Sequence, residues 1–223
     1  SFVPDCSFPV CYGEKGFLEL KLSSEKLSGA VEALKGGSAV NEIPGRGTAV
    51  IRGERIETEG VPGHSAYPDK CINALGLLGA ECLKRNGLSK VDRRCFHFLA
   101  DAGSDGYGRV LGVERSDADS GPMTCAPTLL CMKDGRMEAV VNIRYPITAQ
   151  SSEIVADMEK AVGRYGISVS VMRDSAPNYE DPASPWVQYL SRVYADVMGK
   201  AEKPYVMSGG TYARKVPNAV GFG

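Results

Sequence analysis

Two apolar runs flank Lys133-Asp134-Gly135 in the stretch PTLLCMKDGRMEAVVNIRYP, and a turn of that composition joins them as an antiparallel hairpin. The next segment, SSEIVADMEKAVGRYG, opens on a serine cap with a glutamate soon after. It places Ile154, Met158 and Val162 on one helical face and stops at Gly166. ISVSVM then alternates as a strand. A hairpin, an amphipathic helix and a strand in that order pack as helices on one face of an antiparallel sheet.

The flanking sequence extends this pattern. GFLELKLSS alternates from Phe17 to Leu22, a Gly-rich loop leads to an extended segment from Thr48 to Ile51, and RIETEG is a short strand. INALGLLGAECLKRNG reads as a helix with Ile72, Leu75, Leu78 and Cys82 on one face, and DRRCFHFLADAG as another. From Asp174 the character changes. DSAPNYEDPASP is a Pro-rich connector, followed by a helix (SPWVQYLSRVYADVMG), a strand (KPYVM), a tight SGGT turn, a short helical YARK and a last strand in NAVGFG. That tail reads as part of a different, α/β layer.

Composition narrows the function classes. With 26 Lys and Arg against 27 Asp and Glu, and no dense basic run, nucleic acid and anionic membrane are not expected partners. No apolar run approaches the roughly 18 residues of a membrane helix. Seven cysteines at irregular spacing, in a chain too long to need disulfide staples, read as reduced thiols of a cytoplasmic protein. The first residue is not Met and the chain stops on an apolar strand, so it reads as a fragment, or as the ordered part, of a longer protein.

Five features invite chemistry, each with an ordinary reading beside it. His64, in PGHSAYP, is either a partly exposed turn histidine or a hydrogen-bond donor to a developing oxyanion held on a stiff turn. Arg144, in VVNIRYPIT, lies in an apolar strand and either meets a carboxylate within the protein or awaits an anionic ligand. Asn41 reads as a turn residue or a ligand contact. In MSGGTYARK, backbone N–H groups at Gly209, Gly210 and Thr211 form either a plain turn or an anion nest. Asp5, alone, is a surface carboxylate. The two histidines are 33 residues apart and neither has a metal-ligand partner at i+3 or i+4, so the chain shows no complete metal site.

Taken in order, FVPDCSFPVCYGEKG, NEIPGRGTAVI, GVPGHSAYPDKCINAL, VVNIRYP, SAPNYEDPASPWVQYLSRVY and SGGTYARKVPNAVGFG resemble segments of the di-zinc metallopeptidases that include aminoacylases, desuccinylases and carnosinase. The resemblance is strongest to the PepV-type dipeptidases and spans nearly the whole chain. It implies an α+β lid domain, an antiparallel sheet with helices on one face, ferredoxin-like and either single or doubled, plus part of an α/β catalytic domain. The expected division is a catalytic-domain remnant over 1–15, the lid over 16–173, and a C-terminal part of the catalytic domain over 174–223.

The same resemblance implies roles. Asp5 looks like a ligand to one of two zinc ions, and His64 like the lid histidine that steadies the oxyanion. Asn41 and Arg144 look like lid groups that hold the substrate, and Ser208, Gly209, Gly210 and Thr211 like the loop that receives its C-terminal carboxylate. The implied activity is hydrolysis of dipeptides or short peptides by the intact parent, with two Zn2+ in that parent and none expected in this chain, because the family's first catalytic segment and last histidine ligand have no counterpart here. Deacylation of N-acyl amino acids and a non-catalytic interaction module are the alternatives. Asn178 stands where relatives often have histidine, and Gly53-Glu54 marks where relatives usually carry a further helix and strand. The enlarged lid favours a monomer, with a homodimer through the lid as the other arrangement.

Overall fold

A computed structural model describes residues 1–223. Seven antiparallel strands form the main sheet: β1 (Gly16–Lys26), β2 (Val31–Gly36), β3 (Arg46–Ile51), β4 (Glu54–Glu59), β5 (Thr124–Lys133), β6 (Arg136–Tyr145) and β7 (Ile167–Ser175). Their order across the sheet is β7-β1-β6-β5-β2-β3-β4. Four helices accompany them: α1 (Ala74–Cys82), α2 (Lys90–Ser104), α3 (Ser151–Gly163) and α4 (Pro185–Met198). The order β7-β1-β6-β5, with α2 before the β5–β6 hairpin and α3 after it, is the ferredoxin-like arrangement. β2, β3 and β4 extend the sheet beyond β5, and α1 packs on β3 and β4; the extension is three strands and one helix.

Alternation in the strands builds the core. Leu18, Leu20 and Leu22 of β1 and Val141, Ile143 and Tyr145 of β6 all point to the helical side and are essentially inaccessible. They join Leu75 and Leu78 of α1, Phe96 and Leu99 of α2, and Ile154, Met158 and Val162 of α3 in one continuous apolar cluster. The Asp134-Gly135 hairpin forms as its sequence requires, with φ of 50° and 71° at the two turn residues. Arg52-Gly53 closes β3 and β4 in the same way, so Gly53 and Glu54 are consecutive residues of a tight hairpin.

Three local expectations are corrected. α3 is capped at Gln150 without a side-chain bond, and the Ser151 hydroxyl instead donates to Asp174 at 2.6 Å. Ile72 precedes α1 and is half exposed; the cap of that helix is Asn73, which accepts from Leu75 N–H and donates to the Pro127 carbonyl at 2.8 Å. β2 has no counterpart in the sequence reading, because a bulge between Val31 and Ala33 breaks its alternation and leaves Val31 and Leu34 buried at helical spacing.

A smaller sheet surrounds Cys11–Glu14, which pairs with Asn178–Tyr179, Tyr205–Met207 and Val220–Gly221; Phe2–Val3 adds to the last of these. α4 covers it through Val187 and Leu190, packed on Val10, Tyr12 and Val220. The helix starts on Ser184, whose hydroxyl accepts from Val187 N–H, and stops at a left-handed Gly199. No helix of the structure is long and apolar enough to cross a membrane.

α1 and α2 touch backbone to backbone through glycine. A Cβ at Gly76 would lie 2.7 Å from the Gly103 carbonyl carbon, and one at Gly79 would lie 2.6 Å from the Ala100 nitrogen. Gly76→Ala gains helix propensity of about 1 kcal/mol, but the clash is with main chain that cannot rotate away. The expected result is net destabilisation of about 1–3 kcal/mol in urea unfolding, with Gly163→Ala, which meets open space, as the stabilising control.

Candidate functional site

Part of the main-sheet face opposite the helices, around β1 and β6, is also covered. Residues out of phase with the core, Phe17 and Glu19 on β1 and Asn142 and Arg144 on β6, face the loop at 207–215 and the turn that carries His64. Between these elements lies a cleft of about 680 Å3 lined by Asp5, Phe17, Glu19, Asn41, His64, Arg144, Arg173, Gly209, Gly210, Thr211, Arg214 and Lys215, among others. Every candidate residue from the sequence lines it except Ser208, whose carbonyl accepts from Arg144 Nη1 at 3.3 Å.

The His64 turn is held from beneath. Glu42 and His64 pair in a two-residue ladder, Ser65 N–H donates to the Asn41 carbonyl at 2.9 Å, and the buried Ser65 hydroxyl donates to Asn142 Oδ1 at 2.9 Å. The exposed imidazole therefore stands on a fixed base. Its Nδ1 accepts from Ala66 N–H at 3.1 Å, which leaves the proton of the neutral ring on Nε2, as a donor. Burial first, and the nearby Arg144 charge second, lower the His64 pKa below the ordinary histidine range. The neutral donor form is thus the one favoured in the fold.

Arg144 is buried and has no carboxylate within ion-pair distance. Its Nε points at Asn142 Oδ1 (3.4 Å) and its plane lies over the Phe17 ring, 4.3 Å from the centroid. Burial, then the charge of Arg214, push its guanidinium down to about 10, with Glu19 pulling the other way; it remains a cation at neutral pH. Beside it, the N–H groups of Gly209, Gly210 and Thr211 donate to nothing within the protein. A buried cation without a counter-ion, in a cleft with backbone N–H groups that have no acceptor, is an arrangement able to bind an anion.

Thr211 itself is spent on structure. Its hydroxyl donates to Glu14 and accepts from Ala213 N–H at 3.0 Å. Glu14 is almost fully buried and pairs with Arg214 at 2.7 Å. Arg214 also donates to Ser175 Oγ (3.2 Å) and to the Lys15 carbonyl (3.0 Å), so one guanidinium ties together both chain crossings between the two sheets and the 208–211 loop. Arg214, Arg173 and Glu19 were not singled out in the sequence. Arg214 lay within a quoted motif, and the other two sit on strands whose register only the sheet defines.

Asp5 is exposed and accepts from Tyr212 N–H at 3.1 Å. No group of three His, Cys, Asp or Glu side chains comes together anywhere in the structure. Asp5 alone does not fit a zinc ion, and a metal held here requires ligands from outside these residues. Asn178 lies outside the cleft and donates to the Ala219 carbonyl at 3.2 Å.

No family model matches the chain. Among curated proteins it is similar to "Putative dipeptidase YtjP" of Bacillus subtilis, 27% identical, and to "Putative dipeptidase SH1171" of Staphylococcus haemolyticus, 24% identical. Each match covers 100% of this chain and 55% of the relative, so the chain spans about half the length of the curated relatives it matches. The first alignment runs over 259 positions against 223 residues here. Among solved structures, aminoacylhistidine dipeptidase from Vibrio alginolyticus shares the fold, with a TM-score of 0.59 at 11% identity, covering 96% of this chain and 56% of that one. The resemblance to dipeptidases of this family, read from the sequence, is borne out by these matches.

Two outcomes test the site's physics. Arg214→Met leaves Glu14 buried and uncompensated and is expected to destabilise by about 3–5 kcal/mol in chemical unfolding, and Arg214→Lys, which cannot span all three acceptors, recovers only part of it. By NMR, His64 titrates below the usual histidine range, and Arg144→Met moves it upward. Because the folded pKa is depressed, the stability His64 contributes is complete above its unfolded pKa and is lost as pH falls through the folded value.

Proposed function

We propose that this chain forms the substrate-holding part of a peptidase that hydrolyses dipeptides or other short peptides with a free C-terminus. The observation that carries the reading is Arg144: a buried cation with no counter-ion, facing unspent N–H groups at Gly209 to Thr211, in the cleft that also holds His64 and Asn41. A C-terminal carboxylate supplies the missing charge. Its binding to Arg144 and the loop fixes the peptide at one end, and Asn41, which adjoins the ladder that carries His64 and lines the same cleft, is a further contact.

With the peptide so anchored, His64 Nε2–H is the donor available to the carbonyl oxygen of the scissile bond. As that carbonyl becomes tetrahedral its oxygen gains charge, and a fixed neutral imidazole stabilises it without reorganising. The similarity to dipeptidases supports hydrolysis as the reaction. The zinc ions implied by the resemblance lack a ligand set among these residues, and no step here is assigned to them.

The test is hydrolysis of a dipeptide panel by the whole protein that contains this chain. His64→Ala is expected to lower kcat by about 10²–10³ with little change in KM, the range seen when one oxyanion donor is lost. Arg144→Met should weaken substrates with a free C-terminus and leave C-terminal amides unaffected. Unchanged kcat in the first variant, or equal losses on acids and amides in the second, overturns the assigned roles.

A further inference from the structure

Glu19 is the one acidic side chain in the main-sheet wall of the cleft, and it is more than nine-tenths buried. Its Oε1 is out of reach of solvent and accepts no hydrogen bond. The neighbours that might satisfy it do not. Asn142, directly across on β6, spends Oδ1 on Ser65 and Arg144, while its Nδ2 donates to nothing. Arg173, directly across on β7, stacks on Phe17 at 4.7 Å, and neither Arg173 nor Arg144 comes within ion-pair distance of Glu19. A buried carboxylate with no hydrogen bond and no ion-pair contact is expensive, so a strand position that keeps one facing a ligand cleft has its partner in the ligand.

We infer that Glu19 forms a cation subsite beside the carboxylate receptor and selects peptides carrying an ammonium group. The register fixes the neighbourhood: Arg144 pairs with Phe17 on β1, and Glu19 is two residues further along the same face, about 7 Å away along the strand. A ligand whose carboxylate meets Arg144 therefore presents groups within one side-chain length to Glu19. The ammonium comes either from a lysine-like side chain on the C-terminal residue or from the peptide's own α-amino group. This inference rests on the reading of Arg144 as the carboxylate receptor and adds a second recognition element to it.

Binding to the whole protein that contains this chain, by isothermal titration calorimetry with turnover blocked by a chelator, tests it. The probes are Gly-Lys, Gly-norleucine and the N-acetylated form of each, against the natural chain, Glu19→Gln and Arg144→Met. Loss of one charge-assisted hydrogen bond makes the expected weakening on Glu19→Gln about tenfold for the peptide that presents the ammonium. If the loss falls on Gly-Lys but not on Gly-norleucine, the side chain is the source. If it falls on free but not on acetylated peptides, the α-amino group is. Equal losses on all four peptides mean a structural role and overturn the subsite, as does no loss on any.

Thermal stability supplies the second readout. Removing an unpartnered buried charge leaves Tm equal or higher in Glu19→Gln, whereas a fall in Tm means that Glu19 is spent within the fold and sinks the inference. Binding that depends on Arg144 but not on Glu19 overturns the subsite alone. Binding that ignores Arg144, or no binding, overturns the carboxylate receptor and the subsite together.

Discussion

The buried Arg214–Glu14 pair is the contact on which the cleft depends. Two charges taken out of water at the meeting of two sheets are tolerated only when every hydrogen-bonding position is used, and here they are nearly all used. Glu14 accepts from Thr211 on one oxygen and Arg214 on the other, and Arg214 also donates to Ser175 Oγ and the Lys15 carbonyl, one bond from each guanidinium nitrogen. The chain passes from the small sheet to the large one at Lys15 and returns just after Ser175, so both crossings and the loop between Met207 and Lys215 share one electrostatic anchor. Apolar packing alone would hold the sheets near each other without fixing the loop against β6.

The main sheet buries one whole face and, around β1 and β6, part of the other, and the two differ in character. On one, leucine, valine and isoleucine face three helices and make an ordinary apolar core. On the other, Glu19, Asn142 and Arg144 stand out of phase beside Phe17, and they are covered by a loop and a turn rather than by helices. Register keeps the two sets apart, because a one-residue slip of β6 would send Arg144 into the core and Ile143 into the cleft. The long hairpin with β5 and the long pairing with β1 hold that register over ten residues.

Most of the cleft's polar groups are spent on the protein, and the few that are not define what it takes. Ser65, Thr211 and Glu14 bond inward and act as supports. Arg144 lacks a counter-ion, and the N–H groups from Gly209 to Thr211, His64 Nε2 and Glu19 Oε1 are left without hydrogen-bond partners. In the function proposed for this cleft, the cation, the neutral donors and the lone carboxylate complement a short zwitterionic peptide. The same logic explains why His64 is kept neutral: the burial and the Arg144 charge that disfavour imidazolium also preserve its role as a donor.

The sequence by itself determined the elements whose signals are local. The Asp134-Gly135 turn, the helix within SPWVQYLSRVYADVMG and the alternation of β1 are written in adjacent residues, and each formed where it was read. The ordered motifs also named His64, Asn41, Arg144 and the 208–211 loop, though through resemblance; spacing left each of them with an ordinary alternative. Tertiary structure decided the rest. β2 was illegible because a bulge destroyed its period, and the helix contact through Gly76 and Gly103 joins residues 27 apart that carry no periodic mark. Whether Arg144 had a counter-ion, and that Glu19 lacked one, depended on cross-strand register and on a loop arriving from 64 residues away. Pairing of buried charges is a property of three-dimensional neighbours, and a charge's sequence neighbours do not determine whether it will be met.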